Sequence, residues 1–399
     1  MGMAKQMLIR QMELGFAPIG KKVCYECIGD YALKEFIKKH ANTTYCDYCD
    51  RENDVISANV DDVLEYIIKC IKYEWGNPDD EGVWYDSSEG GYQGTKIYDG
   101  WDFVNEILYY EVEIRSDSLL DDIRNSLVDT SWCKKDPYAL ALNEEVYLSW
   151  QLFCEQVKYK TRYFFYETLE HNRESGKFSP AKILDFIADV IRDLNLIKIV
   201  SNQTFYRARV SSKKEKFTTA KDLGTPPKKC ARFSNRMSPA GIPMFYGAIN
   251  EDTALKEVGY TEGVGVIASI GEFVNTSEIR ILDLTELPNI PSIFDLDNRY
   301  KRWVIKFLYG FLSDLIKPIK KDGREHIEYV PTQIVTEYFR YVFKTNDNYS
   351  IDGIAYPSSI NNNKAYVLFF ENEECVEQNE IKKGSRQLYL KRYTHIGDV

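Results

Sequence analysis

Four cysteines have the spacing that metal chemistry requires. Cys24-x-x-Cys27 and Cys46-x-x-Cys49 form two knuckles separated by 18 residues, within the roughly 15–20 residues that join the halves of a four-thiolate zinc site. Each knuckle can set two sulfurs about 3.7 Å apart, one edge of a tetrahedron around a single ion. A module of about 30 residues with so few apolar side chains needs such an ion as its core. A redox dithiol would leave the second pair unexplained, and four thiolates leave no open position for catalysis. The expectation is structural Zn2+ on Cys24, Cys27, Cys46 and Cys49. Helical spacing between the knuckles (Leu33, Phe36, Ile37) predicts a helix over Tyr31–His40, with His40 as its solvated end and not a ligand. The other cysteines, Cys70, Cys133, Cys154, Cys230 and Cys375, have no pairing logic, and most read as reduced, buried small hydrophobes.

A second concentration of chemistry lies further along. Between Arg207 and Arg236 stand ten basic residues, including Lys213, Lys214, Lys216, Lys221, Lys228, Lys229 and Arg232, against Glu215 and Asp222 alone, a local balance of 10 − 2 = +8. Such a reversal suits an anionic, phosphate-bearing ligand, because arginine offers a bidentate fork for phosphate oxygens. For the lysines a solvated basic loop is the plainer reading. Arg207 and Arg209 alternate with Tyr206 and Ala208 on an expected strand, which puts both guanidiniums on one face of a sheet. Ser234 to Pro243 is dense in turn formers and leads into a strand around Tyr246. Glu257 follows as a lone carboxylate, so a two-carboxylate glycosidase pair is not legible here.

These residues need elements to hold them, and the periodicity supplies an outline. Residues 55–200 read as mainly helical: a stripe at Val63, Ile67, Ile68, Ile71 and Trp75 capped by Asn59, a polar loop over 76–100, and helical spacing over 101–110 and 146–166. Ser179-Pro180 marks a helix start, with Phe178 placed to staple onto Ile183. From 201 the period changes, with strands expected over 204–210, 244–249, 264–270, 279–284, 353–356 and 365–370 and helices over 252–259, 298–316 and 331–344. The expected organisation is a small zinc module (1–54), a helical region (55–200) and an α+β domain (201–399).

With 399 residues, 44% apolar side chains and a net charge of −10, the chain is a folded multidomain protein. That charge disfavours broad contact with nucleic acid or anionic membrane. No stretch matches a spanning helix and the N-terminus lacks a signal-peptide apolar block, so a cytoplasmic setting is expected.

Taken in order, Tyr206-Arg207, Asn235-Arg236 with Ser-Pro-Ala-Gly-Ile-Pro and Tyr246-Gly247, Ala254-Leu255-x-Glu257-Val258, and Asp352-Gly353-Ile354-x-Tyr356-Pro357-Ser358-Ser359 closely resemble the RES domain. The resemblance covers about 203–370, and the region before it looks like the HEPN/RES N-terminal extension. It implies a fold like that of ADP-ribosyltransferase toxins and an activity that degrades NAD+ at its nicotinamide–ribose bond, as glycohydrolase or phosphorylase. By that resemblance Arg207, Glu257 and Ser358 are the catalytic set, with Arg236 and Tyr246 completing the NAD+ site; Arg232 is the fallback for Arg236, and Ser359 competes with Ser358. The plainer alternatives are an Arg207–Glu257 ion pair, an ordinary strand aromatic at Tyr246 and a turn cap at Ser358. His171 follows Arg162 by nine positions, a wider gap than in ribonuclease-type HEPN domains, which argues against a nuclease. His326 and His395 read as surface residues. The resemblance further implies a toxin or antiviral effector, a protein inhibitor or activator on the N-terminal region, and room for a homo-oligomer. Two rivals stand beside it: ADP-ribosyl transfer to a macromolecule, and a non-catalytic partner-binding scaffold.

Overall fold

The computed structural model describes residues 11, 14–49, 51–127, 130–163, 178–211, 215–262, 265–319 and 322–397. Two compact units interleave along the chain: Met1–Leu142 with Asn289–Val304, and Asn143–Pro288 with Ile305–Val399. No described helix is long and apolar enough to cross a membrane. The molecule is multidomain, with helices and one large mixed sheet.

In the first unit, α1 (Tyr31–His40) starts where the Asp30 carboxylate accepts the Leu33 N–H at 2.9 Å. It ends in Lys38, Lys39 and His40, cations suited to a helix C-terminus, and the His40 ring stacks on Phe36 at 4.1 Å. Strands β1 (Lys22–Cys24), β2 (Thr43–Tyr45) and β3 (Glu52–Asn59) form a three-stranded sheet in the order β1-β3-β2. The shortness of β1 and β2 hid them from the periodicity, and β3 runs into the start of the region expected to be helical. α2 (Val60–Ile71) buries Val63, Leu64, Ile67, Ile68 and Ile71. Trp75 leaves that stripe for a short strand, and Asn59 precedes the helix without a side-chain cap bond. The polar stretch after it contains a tight hairpin, Tyr85–Asp86 against Gly91–Tyr92. The returning segment Asn289–Val304 is bound into this unit by buried Arg302, 3.1 Å from Glu74 and 2.7 Å from Glu111. Arg302 and Glu74 are buried and Glu111 is half-buried, and charges so placed hold only because they compensate one another.

In the second unit, α3 (Leu142–Tyr159) and α4 (Pro180–Asp193) precede the sheet strands. Ser179 sits at the cap position of α4 without a side-chain bond, and Phe178 packs on the ring of Phe186 at 4.8 Å. The strands are β4 (Ile197–Val200), β5 (Thr204–Ser211), β6 (Phe245–Ala248), β7 (Ile267–Asn275), β8 (Ile279–Asp283), β9 (Gly353–Pro357), β10 (Lys364–Leu368), β11 (Cys375–Glu377) and β12 (Leu388–Ile396). They form one sheet in the order β11-β12-β7-β5-β6-β10-β9-β8-β4, antiparallel except for the β8/β9 and β11/β12 pairs. Of the expected strands, only the first residues of 264–270 fall partly outside the described set; β4, β11 and β12 carry no signal strong enough to be read beforehand.

One pairing differs from the rest. β5 matches β7 over its whole length, from Thr204↔Val274 to Ser211↔Ile267, but meets β6 at a single position, Tyr206↔Ala248. The sheet opens between β5 and β6. Below the opening, Phe205, Phe245, Phe273, Leu368, Cys375 and Leu390 form a buried core, with Phe245 and Phe273 edge to face at 5.1 Å. Phe245→Ala is expected to lower unfolding stability by about 3–5 kcal/mol, the range for emptying a buried aromatic site, read from the denaturant midpoint; an unchanged midpoint would contradict this packing.

Candidate functional site

The opening in the sheet leads to a cavity of about 1160 Å³, lined within the second unit by residues of β5, β6, the loop before β6, the short helix after it and the segment 325–329. Arg207 lies on its wall. Its Nε donates to the Gly224 carbonyl at 3.1 Å and its Nη1 to the Tyr246 carbonyl at 2.8 Å, so the guanidinium ties the loop at Gly224 to β6 where β5 and β6 diverge. The aromatic face of Phe245 lies 5.6 Å beneath it. Burial lowers the Arg207 guanidinium to about 10, which leaves it charged at neutral pH. Gly224 must be glycine, because a Cβ there would lie 2.6 Å from both the Ala220 carbonyl oxygen and the Cys375 Cβ. Arg209 shares the face, as the alternation predicts, but its guanidinium lies over the Phe217 ring at 3.9 Å and donates to the Asp222 carbonyl.

Arg236 reaches the cavity from the loop. Its Nη1 donates to the carbonyls of Leu315 at 3.0 Å and Lys317 at 2.8 Å, closing the C-terminus of α6 (Arg299–Ile316), where orphan carbonyls and the helix dipole favour a cation. The Arg236 carbonyl accepts from Thr332 Oγ1, which fixes the backbone as well. Arg232 lies on the same wall, exposed. Lys216, Lys221, Lys228 and Lys229 are on the surface and outside the lining, while Lys213 and Lys214 lie outside the described residues, as does His171.

Tyr246 is half-buried, with its hydroxyl 3.0 Å from Ser238 Oγ and accepting the Met237 N–H at 3.2 Å. Burial pushes it up to about 12, and pushes the neighbouring Tyr356 still higher, so both remain neutral. Glu257 ends the helix α5 (Glu251–Glu257) that packs beside β5. A carboxylate at a helix C-terminus is poorly placed with respect to the dipole, and Ser358 compensates by donating to Glu257 Oε1 at 2.5 Å. The buried Ser358 hydroxyl thus reaches Glu257, while its neighbour Ser359 is an exposed part of the cavity wall. Among the described residues no ion pair joins Arg207 to Glu257.

The loop that presents Ser358 is itself clamped. Buried Thr253 on α5 accepts from Asn361 Nδ2 at 3.0 Å and from Asn363 Nδ2 at 3.1 Å, and the Ser358 N–H donates to the Asn363 carbonyl at 2.8 Å. The asparagine run at 361–363 was the available sequence signal for this clamp. His326, exposed as expected, and Tyr329 also line the cavity; His395 bonds Ser269 Oγ at 2.9 Å. Thr253→Val should free both amides and cost about 1 kcal/mol for the lost bonds, with faster hydrogen exchange at Ile360 and Asn362. Exchange indistinguishable from the parent would show that the loop does not depend on this clamp.

In the first unit, Cys24, Cys27, Cys46 and Cys49 bring their sulfurs within 4.8 Å of one another, with separations of 3.7 Å (Cys24–Cys27), 3.5 Å (Cys24–Cys49) and 3.7 Å (Cys27–Cys46). These distances fit the edges of a tetrahedral ion site. Backbone N–H groups of Cys24 and Tyr48 point at Cys46 Sγ at 3.3 and 3.4 Å. Burial raises the Cys24 thiol, the Cys46 contact and burial raise Cys27, and the Cys27 contact lowers Cys46 to about 5 against the opposing effect of burial. The group can hold a metal ion. All nine cysteines are unbridged; of the five outside the cluster, Cys70, Cys133 and Cys375 are buried as expected for most of them, Cys154 is half-buried and Cys230 is exposed.

Residues 204–391 match the model of the RES domain and residues 39–171 that of HEPN/RES N-terminal domain 1. A chain in the crystal structure of the M. tuberculosis MbcT-MbcA toxin-antitoxin complex is similar at 14% identity, over 53% of this chain and 92% of that one, with a TM-score of 0.31. No curated protein sequence matches.

Proposed function

Since this chain joins a HEPN/RES N-terminal domain to a RES domain, we propose that its C-terminal domain cleaves the nicotinamide–ribose bond of NAD+, as a glycohydrolase or a phosphorylase. The observation that carries this reading is convergence: Arg207, Arg236, Tyr246 and Glu257 line one cavity, and Ser358 bonds to Glu257. The cavity volume, somewhat above that of ordinary ligand sites, has room for a dinucleotide. A sheet opened beside the catalytic arginine is also in keeping with an ADP-ribosyltransferase-like fold.

The chemistry follows from where charge develops. As the C–N bond breaks, its electron pair returns to the nicotinamide ring, which leaves neutral, and the ribose takes on oxocarbenium character. The Glu257 carboxylate, oriented by Ser358, accepts hydrogen bonds from the ribose hydroxyls and stabilises that positive charge. Arginines near the ribosyl centre would oppose it, so the role of Arg207 and Arg236 is to hold the diphosphate and fix the geometry. Tyr246, neutral, packs beside the nicotinamide. Water then bonds to the ribosyl carbon and releases a proton, or inorganic phosphate takes its place. Loss of NAD+ would harm the cell that makes the enzyme, which is consistent with a cytoplasmic toxin or defence effector whose N-terminal region receives a protein inhibitor or activator. In that region we assign the four cysteines to a structural Zn2+, with Cys24, Cys27, Cys46 and Cys49 as its ligands.

Incubated with NAD+, the full chain should release nicotinamide, and Glu257→Gln should lower kcat roughly 100- to 1,000-fold with a far smaller change in KM. Full turnover by that variant, or no release by the parent chain with or without added phosphate, would remove the mechanism. Labelled product attached to protein or nucleic acid would instead favour ADP-ribosyl transfer. Elemental analysis should find one zinc per chain, and Cys27→Ser should lose the metal and melt at lower temperature; protein free of metal with unaltered melting would contradict the assignment.

A further inference from the structure

Phe233 stands out on the cavity wall. It is 82% exposed, and among the described residues no aromatic ring or cation packs on it. Exposure of a large apolar ring on a ligand cavity is informative in a way that a scattered surface side chain is not. The loop that carries it is held at several points: the Gly241 N–H donates to the Ala231 carbonyl at 2.7 Å, the Asn235 N–H to the Ser238 carbonyl at 2.8 Å, and Gln333 Nε2 to the Asn235 carbonyl at 2.8 Å. Phe233 is therefore presented by a braced turn, which reduces the ordering cost of stacking on it.

The order of residues along this loop matches the order of groups in a dinucleotide. Met237 and Ser238 bond the hydroxyl of Tyr246, the residue assigned to the nicotinamide end. Arg236, assigned to the diphosphate, comes next. Phe233 lies three residues beyond, so the two α-carbons are at most about 10 Å apart, and exposed Arg232 adjoins it. Resting on the NAD+ reading above, we propose that Phe233 is the stacking platform for the adenine base, making it a specificity residue that separates adenine dinucleotides from mononucleotides of nicotinamide. A flat apolar ring suits this task because every purine offers a π-face, and base–aromatic stacking survives on an exposed rim.

Isothermal titration of the full chain with adenosine monophosphate, NAD+ and nicotinamide mononucleotide tests the assignment. Phe233→Ala should weaken adenosine monophosphate and NAD+ roughly 5- to 150-fold, with nicotinamide mononucleotide binding as to the parent, and Phe233→Tyr should restore both. Equal adenosine monophosphate affinity in parent and Phe233→Ala would overturn the proposal and point to a protein partner for this ring. So would a parent chain that does not bind adenosine monophosphate, or a variant that weakens both mononucleotides alike. Adenosine monophosphate binding that depends on Phe233, without nicotinamide release, would instead count against the catalytic reading alone.

Discussion

The site depends on one side chain bridging an incomplete strand pairing. β5 and β6 share a single register position, and the Arg207 guanidinium bonds both the Gly224 and Tyr246 carbonyls across the divergence. Opening a sheet costs backbone hydrogen bonds, and buried carbonyls left without partners would be costly. Arg207 donates to one such carbonyl on β6, that of Tyr246, and to the loop carbonyl of Gly224, and it brings a positive charge into the gap. The same interaction that makes the opening tolerable also sets a guanidinium on the cavity wall.

Around that bridge, the remaining parts act as supports. Gly224 allows the chain to pass close to Ala220 and Cys375, which sets one acceptor of Arg207. Arg236 is fixed by the end of α6, and Tyr246 by the loop that carries Arg236. Thr253 ties the asparagine loop to α5, so that Ser358 meets a carboxylate placed against the helix dipole. Locally unfavourable placement, compensated by a specific hydrogen bond, is what a functional carboxylate is expected to look like.

Much of this was legible in the sequence. The cysteine spacing is a covalent-geometry constraint, and the four sulfurs do gather. Alternation at 204–210 put Arg207 and Arg209 on one face, and the α1 and β5 boundaries lie within a residue of expectation. What escaped has physical causes. Strands of three or four residues, such as β4 and β11, have too few alternations to be seen, and long β12 is polar along its exposed half. The interleaving of the two units depends on Arg302 finding Glu74 and Glu111, contacts far apart in sequence. His326 and Tyr329 reach the cavity through tertiary folding of a segment without a motif.

The most direct test is a crystal structure of the Glu257→Gln protein soaked with NAD+. The diphosphate should lie against Arg207 and Arg236, with the nicotinamide ribose hydroxyls at residue 257 and the ring beside Tyr246. A dinucleotide bound elsewhere, or one reversed so that adenine occupies the Tyr246 end, would contradict this arrangement.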